Sequence, residues 1–292
     1  MSAPGRLRDG IADVERGRDV TGPRRVPMVR LLAAEVRWVL RRPRTLVMFG
    51  VFALIPVLIA IGIAVSDRPG RGLVAAVAGN GLVLPVAAMT LALALLLPLA
   101  VGTAAADAIA GETAHGTLRG LLLAPVGRLR LVGMKAFGVL VVAVLATSAI
   151  AVVGVLAGLV VVGAPDGQLV TLSGTTVGLG EALARVALVV AWTVGQLAAV
   201  AAVALAVSAL TEHPLVVLAA VLAALVVFGV LGAIPALDWL APYLLTTGWT
   251  AGTDVLRDPL PLAGLVESTL RALCYVAIGG GFTVLRMLRR DA

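Results

Sequence analysis

Charge is scarce in this chain. Only 13% of its 292 residues are Asp, Glu, Lys or Arg, while 60% are hydrophobic and the mean hydropathy is +1.07. A water-soluble domain of this size cannot cover its surface with so few polar groups, so the chain belongs in a membrane. Its single cysteine, Cys274, excludes an internal disulfide; within an apolar segment it reads as a small packing residue rather than a reactive thiol. Polar–apolar alternation is also missing. A stretch such as "VALVVAWTVGQLAAVAAVALAV" lacks the two-residue period of a membrane barrel, which leaves helices that satisfy their own backbone.

The missing chemistry excludes several functions. No G-x-x-x-x-G-K-[ST] loop is present to cradle nucleotide phosphates, so this chain is not expected to hydrolyse ATP. No acid, lysine, arginine or histidine falls near the centre of an apolar segment, where ion-coupled carriers keep such groups. Glu112 and His115 have the spacing of half a metal site, but two ligands do not make a metal centre, and they read as a solvated interfacial pair. Glu212 and His213 fall in the turn "TEHP". No serine has a matching histidine and acid, so neither a catalytic site nor a bound cofactor is expected. The net charge of +7 sits in arginines flanking apolar segments rather than on one basic face with interleaved aromatics, so nucleic acid is not an expected partner.

What is present is an all-α, polytopic layout. Residues 1–27 are polar and of mixed charge, and read as a disordered cytoplasmic tail. From Met28 to Arg42, Leu32, Val36 and Val39 recur at helical spacing, with Arg37 and Arg41 off that line and Trp38 beside it. That is an interfacial helix lying on the inner membrane surface, which Pro43 separates from the first span. Residues 28–292 form one transmembrane domain, with six spans at about 45–65, 82–106, 131–162, 183–210, 215–234 and 268–288. With both termini cytoplasmic, eighteen of the 23 basic residues lie on that side, as positive charge retained inside requires.

Within the spans, Pro56 and Pro98 are candidate kinks, and Gly154 and Gly158 form a small-xxx-small pair suited to close helix packing. Gln196, beside Thr193, is the most polar mid-span group; it reads either as interhelical glue or as lining of a substrate path. Residues 235–267, with Trp239, Tyr243 and Trp249, read as short external helices that dip into the outer interface, or as a plain cap.

The longest stretch unsuited to oil is "DAIAGETAHGTLRGLLLAPVGRLRLVGMK", residues 107–135. A helix over Glu112–Leu123 is about 18 Å long at ~1.5 Å per residue, too short to cross. Leu118, Leu121 and Leu122 fall on one side, and Glu112, His115 and Arg119 on another. Gly111, Gly116 and Gly120 admit a close neighbour, Pro125 stops the helix, and Arg128 and Arg130 pin the re-entry to the anionic inner leaflet. Such a segment is either a lever taking a push from a cytoplasmic partner or a loop that only connects two spans.

At these residues the chain resembles the ABC-2 type permeases of ATP-driven exporters. The family pattern stands here as Asp107, Ile109, Gly111, Glu112, Gly116, Thr117, Leu118, Leu121, Leu122, Pro125, Val126, Arg128 and Lys135, and "YLLTTGWTAGTDVLRDP" matches more loosely. The resemblance implies that 107–130 is the coupling segment docking onto a separate ATPase subunit, which would hold ATP and Mg. It also implies that 28–42 is the connecting helix, and that a second permease, identical or paralogous, completes the pathway. The apolar walls favour export of a hydrophobic or amphiphilic cargo such as a drug, antibiotic or lipid. The alternative is a non-transporting membrane scaffold or sensor coupled to a cytoplasmic partner. One lysine against 22 arginines, with abundant alanine and glycine, points to a GC-rich genome and so to a bacterial plasma membrane.

Overall fold

The computed structural model describes residues 28–41, 43–66, 73–114, 127–163 and 167–289. The expected tail 1–27 lies outside them. Among the described residues the chain is helical except for one small hairpin. α1 (Met28–Arg41) precedes α2 (Pro43–Val65), and a short α3 (Leu73–Gly79) leads into α4 (Leu84–Ala94) and α5 (Leu96–Ala106). α6 (Arg128–Ala157) is followed by β1 (Gln168–Val170) and β2 (Thr176–Gly178), antiparallel partners. Then come α7 (Leu179–Ser208), α8 (Pro214–Gly232), two 3₁₀ stretches at Pro235–Leu240 and Thr246–Leu256, and α9 (Leu262–Arg289).

Five of these helical segments are each long and apolar enough to cross a bilayer alone: Thr45–Val65, Arg128–Val162, Leu179–Ser208, Pro214–Gly232 and Leu262–Arg289. The sixth candidate is a broken pair, Gly81–Ala94 and Leu96–Ala114, bent by 54°. Proline explains the break. Pro98 has no N–H to return to the Ala94 carbonyl, so the ladder is interrupted there and resumes with Leu99 N donating to Leu95 O at 3.1 Å. Leu95 takes up the bend at φ −149°, ψ −50°. Pro56, by contrast, lies inside the continuous α2. Pro43 opens α2, where its missing N–H costs nothing, and α1 ends before it. In α1, Leu32 and Val36 are half-buried while Arg37 and Arg41 are exposed, and α1 packs on α6; the side chains of Trp38 and Val39 lie outside the described ones.

Small residues set the helix contacts. A β-carbon on Gly158 would fall inside the Gly81 carbonyl oxygen, and one on Gly154 would lie 2.8 Å from Pro85 Cα. Gly81 N also donates to Gly163 O at 2.8 Å, so the far end of α6 is joined to the start of α4 by backbone contact. α7 and α9 run parallel: Trp192 meets Ser268, and Gly279 lies against the Ala202 backbone. This is close packing driven by dispersion, since lipid offers no hydrophobic driving force between helices.

One end of the bundle is closed by a polar cap that the sequence did not announce. Arg185, 7% exposed, donates to Glu181 Oε1 at 2.6 Å, to Asp258 Oδ1 at 3.3 Å and to the carbonyls of Val255 and Arg257. Asp258 in turn accepts from Thr175 Oγ1 and donates its N–H to Ser173 Oγ, while Leu172 N donates to Leu256 O; the β1–β2 hairpin is thereby fixed on the second 3₁₀ stretch. Asn80 joins the same cap, accepting from Leu82 N and donating to Gln168 O. The opposite end, the root end, holds the termini of α5, α7 and α9 and the start of α6.

Two measurements of unfolding in detergent check this packing. Gly158→Ala is expected to cost about 1–3 kcal/mol through backbone displacement, whereas Gly62→Ala, which meets open space, changes stability little. Arg185→Met is expected to cost about 1–3 kcal/mol, because the carbonyls of Val255 and Arg257 lose a buried donor, and to raise amide exchange across residues 168–178.

Candidate functional site

The root end is built where α5 stops being regular. Residues Asp107–Gly111 form a π turn, a geometry in which one residue is inserted into the helical ladder. The buried Ser208 at the end of α7 fills the disturbance, its Oγ accepting from Ala110 N at 3.0 Å and lying 3.5 Å from Ala106 O. Glu112–Ala114 then add one more turn, the last of the described residues on this side of the excursion. A β-carbon on the buried Gly111 would find only ordinary contacts with Ala106 O and Asp107, so there this glycine is not required by sterics.

Glu112 is not turned toward solvent as its expected grouping with His115 and Arg119 would have it. Its Oε1 accepts from Lys135 Nζ at 2.5 Å, and the two side chains are 13% and 5% exposed. The reason is the scarcity of alternatives: the lysine sits seven residues into α6, among Leu131, Val132 and Val139, and a cation there requires a carboxylate. Arg128 has a contact the sequence did not indicate. It stays exposed, but its Nη1 donates to Leu288 O at 2.7 Å, capping a carbonyl in the last turn of α9, where the helix dipole favours a cation. Both ends of the excursion from 112 to 128 are thus tied to the bundle, at Glu112 to α6 and at Arg128 to α9. Gly116, Thr117, Leu118, Leu121, Leu122 and Pro125, together with His115 and Arg119, lie outside the described residues.

Lys135 and Ser208 were not among the site residues expected from the sequence, although Lys135 stood in the family pattern. The signal for Lys135 was its uniqueness, one lysine in a chain that otherwise uses arginine. Nothing local in α7 marked Ser208.

Gln196 and Thr193 are 0% and 1% exposed, on the face of α7 that also carries Trp192. Neither amide atom of Gln196 has a hydrogen-bond partner among the described residues. An apolar groove of about 650 Å³ between α6 and α7 runs past Val144, Ser148, Val152, Leu183, Val190 and Val194, and includes neither residue. A tighter pocket among α7, α8 and α9, lined by Val200, Val221, Phe228 and Tyr275, does not include them either. Among the described residues Gln196 therefore has no polar partner, and replacing it with a partner-free isostere should help. Gln196→Met is expected to raise stability by about 1–3 kcal/mol, the cost of an unsatisfied buried polar group, read as an upward shift of Tm in detergent; a drop of similar size would show a partner in the membrane.

Comparison with known proteins completes the site. Among curated proteins, none matches the chain. A family model described as ABC-2 family transporter protein matches residues 31–213, a range that opens in α1 and includes the π turn, Glu112, Lys135 and all of α7. With its apolar, multi-pass helices and its match over well more than half its length, the chain belongs to the ABC-2 family of membrane transport permeases.

Proposed function

We propose that this chain is the membrane-spanning permease subunit of an ATP-driven exporter, working with cytoplasmic ABC ATPase subunits that hold ATP and Mg and with a second permease, identical or paralogous. The observation that carries the reading is the excursion between α5 and α6, short and anchored at both roots, at Glu112 by Lys135 and at Arg128 by Leu288 O. A loop that only connects two spans needs neither anchor. In this reading the root end faces the cytoplasm of a bacterial cell, with both termini there, and the capped end faces out. Residues 107–130 receive the ATPase, and closure of the nucleotide-bound ATPases presses on them and shifts α5 and α6.

Two further features support the layout. Windows within Thr45–Val65 and Pro214–Gly232 are only 17% and 11% buried inside this chain, which leaves membrane-facing surface for a second permease and for lipid. The α6–α7 groove is apolar apart from Ser148, which favours hydrophobic or amphiphilic cargo such as a drug, antibiotic or lipid reaching the protein from the bilayer.

The test is made on the full chain purified with its ATPase and reconstituted into liposomes. ATP is expected to drive movement of a fluorescent lipid between leaflets or of rhodamine 123 across the membrane, and Leu118→Asp with Leu122→Asp is expected to release the ATPase. Retained ATPase with no ATP-driven movement of any amphiphile would favour the scaffold reading, and a chain that binds no ATPase would overturn the proposal.

A further inference from the structure

Lysine is the exception in this chain. Arginine fills 22 of the 23 basic positions, yet the most buried cation at the root end is Lys135, 5% exposed. An ammonium is a compact point charge that can be directed at a single carboxylate, whereas a guanidinium brings five fixed donors to satisfy. The buried Arg185 shows what the guanidinium demands: two carboxylates and two carbonyls. Lys135 reaches across to a Glu112 oxygen, twenty-three residues earlier in sequence, on the last described turn of the other helix.

Stability alone does not explain such a pair. Desolvating two charges offsets most of their attraction, and well-packed apolar residues would hold a fold as well. What an ion pair supplies is a fixed relation between the two elements it joins. Here those elements differ in stiffness. α6 and its π continuation, Arg128–Val162, run for 35 residues without a break, about 52 Å at ~1.5 Å per residue, and at the far end meet α4 by glycine backbone contact. Both spans contain a π turn, at Gly158–Val162 and at Asp107–Gly111, but the neighbouring span is also broken, by 54° at Leu95. A push at the root would be passed along α6 and absorbed in α5.

We infer that the Glu112–Lys135 ion pair is the joint that makes α5 follow α6 when a partner presses on the segment between them. This rests on the proposed function, since it assumes the press. Glu112 and Lys135 are positioning residues: they touch neither nucleotide nor cargo and act by binding a compliant helix to a stiff one. Arg128 complements them by fixing the α6 root to the last turn of α9.

The experiment is hydrogen–deuterium exchange of the full chain in complex with its ATPase in lipid nanodiscs, with and without ATP and vanadate. In the wild type, nucleotide is expected to change exchange in peptides from both 96–114 and 128–140. Glu112→Gln and Lys135→Met are each expected to keep the ATPase bound and the α6 response intact, while the α5 response falls about tenfold. The reversed pair E112K/K135E is expected to restore it. Should a single substitution prevent assembly, the doubly neutral E112Q/K135M, which removes both charges of the pair, carries the same expectation of an α6 response without an α5 response. An α5 response of wild-type size in the neutral variants overturns the joint. A wild type that binds its ATPase yet responds in neither peptide overturns the coupling reading itself, and the joint with it.

Discussion

The structure depends on the rule that a charge placed in an apolar bundle must find its opposite within the bundle. Lys135 meets Glu112, Arg185 meets Glu181 and Asp258, and Arg271 meets Glu267 together with the Leu244 carbonyl and Thr247 Oγ1. Glu181 and Glu267 lie four residues from their arginines on the same helix, but Lys135–Glu112, Arg185–Asp258 and the bonds of Arg271 to Leu244 O and Thr247 bridge elements that the apolar contacts alone would leave free to slide, because Ala, Val and Leu surfaces are interchangeable and specify register weakly. Polar groups at the two ends therefore fix what the middle packs. The middle is held by small residues: Gly158 against Gly81, Gly154 against Pro85 and Gly279 against Ala202.

The two ends differ in what their polar contacts do. At the capped end they knit loops together, with Asn80, the hairpin and the 3₁₀ stretch before Asp258 drawn into one network around Arg185. At the root end they join helix ends to one another, the turn at Glu112 to α6 and the start of α6 to the last turn of α9. A cap whose bonds tie loops together and a root whose bonds tie helix ends together form a polarity along the molecule. That polarity agrees with an ABC-2 permease driven from one face.

Much of this was legible in the sequence. The apolar runs marked the helices because hydropathy over twenty residues is a local property, and Pro98 and the Gly154/Gly158 pair were readable because a missing N–H and a missing side chain act where they stand. Pro56 shows the limit of that reasoning, since an identical residue in α2 breaks nothing. What stayed hidden was long-range. The turn of Glu112 inward depends on Lys135 lying across from it, the role of Arg185 on a carboxylate 73 residues away, and Ser208 on the π turn of a different span. The hairpin was missed for another reason: strands of three residues carry too few positions for a two-residue period to show.

The most direct measurement of the central claim is site-specific photocrosslinking in native membranes, with a photoreactive amino acid placed at Leu118 and, as a control on the capped end, at Leu172. If residues between Glu112 and Arg128 receive the ATPase on the cytoplasmic face, position 118 captures it and position 172 does not. Capture from Leu172, or from neither position while the ATPase remains bound, would contradict the account.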